Sequence, residues 1–285
     1  MATVRRLLPA YLFVGPALLL LILFVIWPAF YALWVSLQDY GVLGSNGFVG
    51  LDNFAQALHD PLFWKSLSVT VIYTAGSAAL GLSAALGLAI LVGRRLPFMG
   101  WFRILYFVPS LFSLVVLAYI FDWMLDYNTG LFNYWLTALH LQRIPWLQDG
   151  TWAMFSLILI GSWGGASYNV PIYAAGLRNV NQELYEAAAI DGANAWHRFW
   201  NVTLPGIRPI TIYTVIMAVI ASFQIIASVD VLTNFGPNYA TFVTIKYIQR
   251  QTWEYLHMGY GSAISILLLA FLLLITWRQL RFRLE

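Results

Sequence analysis

Asn181-Gln-Glu-Leu-Tyr-Glu-Ala-Ala-Ala-Ile-Asp-Gly-Ala-Asn-Ala-Trp-His-Arg-Phe-Trp-Asn-Val-Thr-Leu-Pro205 separates two long apolar runs, Trp152–Leu177 and Pro209–Leu232. Its pattern predicts two short helices. Asn181 suits an N-cap, Glu183 suits the positive start of a helix, and Gly192 supplies the left-handed residue that ends one. The second helix is predicted to begin near Ala193 and to stop before Pro205. Leu184, Ala187 and Ala188 share a face of the first helix, while Trp196, Phe199 and Trp200 recur at i, i+3 and i+4 on the second. One half is flat and small and the other bulky. Together they make a knob suited to a groove on another protein, with Glu186 available to a basic residue of that partner. The bland reading is a solvated hairpin with Trp196 and Trp200 resting on the membrane surface. A mere connector needs only a handful of residues.

The runs on either side of this loop belong to a series. The 285 residues are 61% hydrophobic, 17% aromatic and only 9% charged, whereas soluble domains carry about 25% charge. Six runs approach or exceed the roughly 20 residues that a helix needs to cross a bilayer. They are Ala10–Leu37, Leu67–Val92, Ile104–Leu125, Trp152–Leu177, Pro209–Leu232 and Met258–Trp277. Backbone groups in lipid must bond internally, so all six are predicted as helices of one integral domain, residues 1–285. The first run follows Arg5 and Arg6, but its length and lack of a clean cleavage site favour a retained anchor over a removed signal.

Orientation follows from the 15 basic residues. Lys65, Arg143, Lys246 and Arg250 fall on one side. The other side takes Arg5, Arg6, Arg94, Arg95, Arg103, Arg178, Arg198, Arg208, Arg278, Arg281 and Arg283. That majority marks the cytoplasmic side and places both termini there. The net charge of +3 is thereby a topology signal and implies no nucleic-acid partner. With no cysteine, disulfides, thiolate metal sites and cysteine catalysis are excluded.

The outer segments Gln38–Ser66, Asp126–Thr151 and Thr233–His257 carry apolar and aromatic residues, and interfacial helices or a cap are expected there. In the second run Ala75, Ala79, Ser83 and Gly87 form one small-residue stripe, with Gly81, Ala85 and Ala89 on a neighbouring one. Both suit close helix packing. Pro109 and Pro171 lie inside the third and fourth runs, where a proline removes a hydrogen bond and creates either a kink or ordinary curvature.

Energy must come from outside the chain if transport is ATP-driven, because no Gly-Lys pair of a phosphate-binding loop is present. An ion-coupled secondary transporter is the alternative, but it would want buried carboxylates or histidines, and the spans hold little beyond Asp122 and Asp230. An enzyme using His59, His140, His197 or His257 is opposed by their dispersal, with no metal-ligand spacing. No catalytic or metal residue is therefore assigned. Hydroxyls, amides and rings suited to a polar lining occur at Ser162, Trp163, Ser167, Tyr168 and Asn169, and again at Ser222, Phe223, Gln224, Ser228, Asp230 and Asn234. The substrate-path candidates are Trp163, Tyr168, Asn169, Phe223, Gln224, Ser228, Asp230 and Asn234. Interhelix hydrogen bonding is the competing reading of the same residues.

Glu186-Ala187-Ala188, three residues, Gly192, nine residues, Val202, one residue and Leu204-Pro205 resemble the EAA signature of binding-protein-dependent ABC importer permeases, with Val where Ile is usual. Asp191-Gly192-Ala193 and Phe199 look like the carbohydrate-type branch, similar to the first permease of maltose and glycerol-3-phosphate importers. Phe48-Val-Gly-Leu-Asp-Asn-Phe54, Phe63-Trp64, Arg103 to Pro109, Gly130-Leu-Phe-Asn-Tyr134, and Leu232-Thr233 with Gly236-Pro237 sit where that branch has similar strings. The resemblance implies an all-α integral membrane fold of the type I ABC importer permease, with six transmembrane helices and a cytoplasmic coupling helix in the loop 181–205. Glu186, Ala187, Ala188, Asp191, Gly192, Trp196, Phe199, Leu204 and Pro205 would be its ATPase-coupling residues. It further implies a bacterial or archaeal inner-membrane location and alternating access for a sugar-like solute. The partners would be an extracytoplasmic solute-binding protein, a second permease and two ABC ATPase subunits that bind ATP and Mg. The terminal Gly-Ala-Val-Lys-Gly-like segment of the partner permease is missing, which favours a heterodimer. Near residue 230 the chain departs from the branch pattern, where the acidic residue usually stands earlier, at the position of Ala227.

Overall fold

The computed structural model of the protein describes residues 13–92 and 99–281. Ala10, where the first span is predicted to begin, and Arg5, Arg6, Arg94, Arg95 and Arg283 lie outside the described residues. The chain runs from α1 (Phe13–Ser36) into an antiparallel hairpin, β1 (Gln38–Gly41) and β2 (Gly44–Phe48), and then α2 (Asp52–His59). Next come α3 (Pro61–Val92), α4 (Met99–Leu111), α5 (Leu114–Leu125), α6 (Leu131–Ala138) and α7 (Gly150–Arg178). After α8 (Gln182–Ile190) and α9 (Ala195–Gly206) follow α10 (Arg208–Phe223), α11 (Ala227–Leu232), α12 (Thr244–Gln249) and α13 (Met258–Arg281).

Among the described residues α1, α3 and α13 are each long and apolar enough to cross a bilayer, and α9 with α10, bent by 70°, pass together as a fourth candidate. α7 has 29 residues, about 43 Å at 1.5 Å per residue, and continues unbroken through Pro171. Two predicted runs are each split in two. Ile104–Leu125 is interrupted at Phe112–Ser113, because Ser113 adopts an extended backbone and its hydroxyl accepts from the Val116 amide at 3.3 Å, starting α5 afresh. The helix survives Pro109 itself and ends within the next turn. Pro209–Leu232 is interrupted between Phe223 and Ala227, where Ile226 turns to φ −137°. In the first outer segment, where interfacial helices or a cap are expected, residues 38–48 form the hairpin, paired Gln38 to Phe48 and Gly41 to Gly44, and a helix follows only at Asp52–His59. Glycines at 41, 44 and 47 disfavour helix there, and Gly44 and Gly47 take positive φ.

Packing divides the chain into two units. The first joins the residues up to Phe63 with Tyr247–Phe271. Asn53 ties its parts together, donating to the carbonyls of Ser36 and Gln38 at 2.9 Å each. Asp60, just before α3, accepts from the Leu62 amide at 2.8 Å, from the Tyr260 hydroxyl at 2.7 Å and from the Tyr247 hydroxyl. Burial pushes this carboxyl up, but those two hydroxyls and the amides of Leu62 and Phe63 outweigh it and hold it below the usual carboxylate range. Burial, and then the Asp60 carboxylate, push the Tyr247 phenol up to about 12.

Gly259 brings α13 against β1, where an added Cβ would run into the Gln38 carbonyl oxygen and stand 3.1 Å from the Tyr40 nitrogen. Both neighbours are backbone. Gly259→Ala is therefore expected to destabilise the protein by about 1–3 kcal/mol, read as an earlier midpoint in denaturant titration of the purified chain. Gly164→Ala, at a glycine with open space around it, should leave that midpoint in place.

The second unit comprises Trp64–Lys246 and the residues from Leu272 onward. One of its cores gathers Val69, Tyr73, Ala118, Leu157, Val229, Leu232 and Val243 from α3, α5, α7, α11 and the segment before α12. Another gathers Ala85, Ala89, Ala166, Val170, Tyr173 and Ile207, with Leu204 and Val180 packed on it. The two small-residue stripes of α3 have different fates. Gly81, Ala85 and Ala89 are buried, and a Cβ on Gly81 would stand 3.1 Å from the Ser162 carbonyl oxygen of α7. Ala75, Ala79, Ser83 and Gly87 are exposed.

Candidate functional site

The loop 181–205 is built from caps. Asn181 Oδ1 accepts from the Glu183 amide at 3.0 Å and starts α8. Gly192, at φ +78°, ends it, with its amide bonded to the Ala189 carbonyl at 3.1 Å and the Ala193 amide to the Ala188 carbonyl at 2.9 Å. This paired closure needs a left-handed residue, which glycine supplies without steric cost. Asn194 then caps α9, accepting from the His197 amide at 2.9 Å. Tyr185 and Thr203 share a hydroxyl hydrogen bond of 2.9 Å that ties α8 to α9.

α9 differs from the helix expected here. It begins at Ala195 and, instead of stopping before Pro205, continues to Gly206 through a π-helical turn at Phe199–Thr203. In that turn the Leu204 amide donates to the Phe199 carbonyl, one residue further back than in an α-helix. The proline that follows has no amide to place, so a chain already out of α register accommodates it. Gly206 passes close to Val180, whose methyl groups would lie 2.9 Å from a Cβ. Ile207 is fully buried at the 70° bend into α10.

Trp196, Phe199 and Trp200 form a cluster with ring centroids 5.6–6.3 Å apart. Trp196 is 66% and Trp200 51% exposed, and Leu184 and Ile190 are exposed on α8. Glu186, Ala187, Asp191, Gly192 and Pro205 also face outward, while Ala188 and Leu204 are half-buried. Rigid rings held at the surface in contact with one another form an apolar patch available to a partner.

The substrate-path candidates are dispersed. Phe223 and Ser228 are buried, and Asn169 is buried with Nδ2 donating to the Gly165 carbonyl at 2.8 Å. Tyr168, Gln224 and Asn234 are exposed. Trp163 stacks edge to face on Phe121 at 5.7 Å. Asp230 pairs with Lys246 at 2.7 Å, and the lysine side chain is only 9% exposed. That ion pair was not foreseen from sequence. The available signal was that an acid within an apolar span demands a counter-charge, and the chain has only two lysines, Lys65 and Lys246.

Residues 77–283 match the family described as binding-protein-dependent transport system inner membrane component, and the chain belongs to it. The arabinooligosaccharides transport system permease protein AraP of Bacillus subtilis (strain 168) is 34% identical, over 95% of this chain and 87% of its own length. The sn-glycerol-3-phosphate transport system permease protein UgpA of Agrobacterium fabrum is 32% identical, over 98% of this chain and 95% of its own. The trehalose/maltose transport system permease protein MalF of Thermococcus litoralis is 33% identical, over 90% and 87%. In fold, the chain is similar to one of a bacterial alginate ABC transporter solved with a pentasaccharide-bound periplasmic protein. The TM-score is 0.85 at 20% identity, covering 98% of this chain and 94% of the other. The chain is thus an inner-membrane permease component with a type I ABC importer permease fold, in a family whose members work with a solute-binding protein.

Proposed function

We propose that this permease forms part of the translocation path for a sugar or sugar-like solute and moves it by alternating access, driven through the loop 181–205. The observation that carries the proposal is the exposed Trp196–Phe199–Trp200 cluster beside the small face of α8, locked by the Gly192 closure and the Tyr185–Thr203 bond. In this reading the loop faces the cytoplasm, as do both termini, and two separate ATPase subunits bind ATP and Mg. Glu186, Ala187, Ala188, Asp191, Gly192, Trp196 and Phe199 contribute the contact, with Leu204 and Pro205 anchoring α9. Residues 1–285 act as one permease domain with six spans. The stripe Ala75, Ala79, Ser83 and Gly87, exposed among the described residues, suits close approach of a second, different permease chain. Relatives named for arabinooligosaccharides, trehalose/maltose and sn-glycerol-3-phosphate support a polyhydroxylated cargo. Trp163, Tyr168, Asn169, Gln224 and Asn234 are its candidate contacts, with Phe223, Ser228 and Asp230 shaping the path. Ion coupling is disfavoured because Asp230 is already neutralised by Lys246.

Glu186→Lys and Gly192→Asp test the coupling role. Each should abolish ATPase co-purification and substrate-stimulated ATP hydrolysis, the first by reversing charge at the contact and the second by straining a residue at φ +78°. Wild-type levels of both in either variant would refute it. Uptake that persists with ATP depleted and an ion gradient intact would favour the ion-coupled alternative.

A further inference from the structure

We propose that the cavity between the loop and the ends of α3 and α7 binds the headgroup of an anionic phospholipid from the cytoplasmic leaflet, clamped by Arg178 and Arg198. The cavity measures about 510 Å³. Ile90 and Leu177, in the last turns of two membrane helices, contribute its apolar side, while Arg178, Arg198, Tyr185 and Thr203 contribute its polar side. Among the described residues neither arginine forms an ion pair.

Two guanidiniums beside an apolar wall match a phosphodiester that carries acyl chains. Guanidinium binds phosphate oxygens in a bidentate fork, and the apolar wall suits the glycerol and first methylenes of the lipid. Basic pockets between spans on the cytoplasmic side are suited to such headgroups. A free phosphate would gain nothing from Ile90 and Leu177. The inference rests on the loop side being cytoplasmic. It gives the loop a second contact, with lipid, because Arg198 lies on α9 while Arg178 ends α7.

The test is native mass spectrometry of the full chain, with its co-purifying subunits, extracted from nanodiscs of phosphatidylcholine doped with phosphatidylglycerol. The wild type should retain phosphatidylglycerol selectively, and Arg178→Gln/Arg198→Gln should lower that retention by about thirtyfold. Arg178→Lys/Arg198→Lys should keep most of it. Undiminished retention in the glutamine variant would overturn the proposal, and displacement by millimolar inorganic phosphate would replace the lipid with a soluble anion. If the glutamine variant fails to assemble, a photoactivatable phosphatidylglycerol on the wild type decides. Labelled peptides should contain Arg178 or Arg198, and labelling confined to other peptides would sink the idea. ATPase co-purification is scored in the same sample. Selective lipid retention without any ATPase would reject the coupling role alone.

Discussion

Trp196→Ala and Trp200→Ala are each expected, in the coupling role proposed for the loop, to weaken association with an ABC ATPase subunit by roughly thirtyfold or more, the effect of removing an interface hot spot worth at least about 2 kcal/mol. The same substitutions should barely move the stability of the isolated permease. Both rings are more than half exposed and pack on each other and on Phe199, whereas Val202, Thr203 and Ile207 carry the buried side of this segment. Affinity measured by titrating purified ATPase against permease in nanodiscs, beside a denaturation curve, separates the two quantities. If the rings only rest on the membrane surface, affinity will not change and lipid partitioning of the loop will. Equal losses of stability and affinity would instead mean that the cluster is part of the core. The double variant should lose less than the sum of the singles, since the rings support one another at 5.6 Å.

Asp230→Ala is expected to cost about 3–5 kcal/mol of stability, because it takes the carboxylate away from an ammonium that is almost wholly buried. Lys246→Met should cost less, since Asp230 retains 34% side-chain exposure and can draw on water. Asp230→Ala/Lys246→Met should recover most of the loss, as replacing both partners of a buried pair by apolar groups is often close to neutral. Thermal unfolding of the three variants in one detergent gives the coupling directly. Failure of the double variant to recover would mean that Lys246 is held chiefly by its other neighbours, among them the Phe235 ring at 5.5 Å. Transport by the rescued double variant then asks whether the pair does more than stabilise.

What could be read in advance was mostly local. Asn181 and Gly192 bound α8 as expected because a cap and a left-handed glycine act through neighbours within a few residues in the chain. The aromatic triad was legible for the same reason, since i, i+3 and i+4 fix a face once the segment is helical. The split at Ser113 was hidden by its apolar surroundings, where a hydroxyl that caps looks the same as one that faces lipid. The split between Phe223 and Ala227 has no such local signature. It resets the facing of the residues that follow, among which Ser228, Val229 and Leu232 are buried. Lys246 and Asp230 meet across the segment that contains Gly236-Pro237, a contact that no periodicity encodes.

The hydrogen bond between Asp60 and Tyr247 spans 187 residues of chain. At roughly 5–20 residues per second of synthesis, the first segment waits about 10–40 s for its partners to emerge. Through that interval α1 and the hairpin must be tolerated by the insertion machinery without the tyrosines that later secure Asp60. Completion of this unit is therefore a post-insertion event, and truncation before Tyr247 should leave a protein that enters the membrane yet is open to degradation at its amino-terminal end.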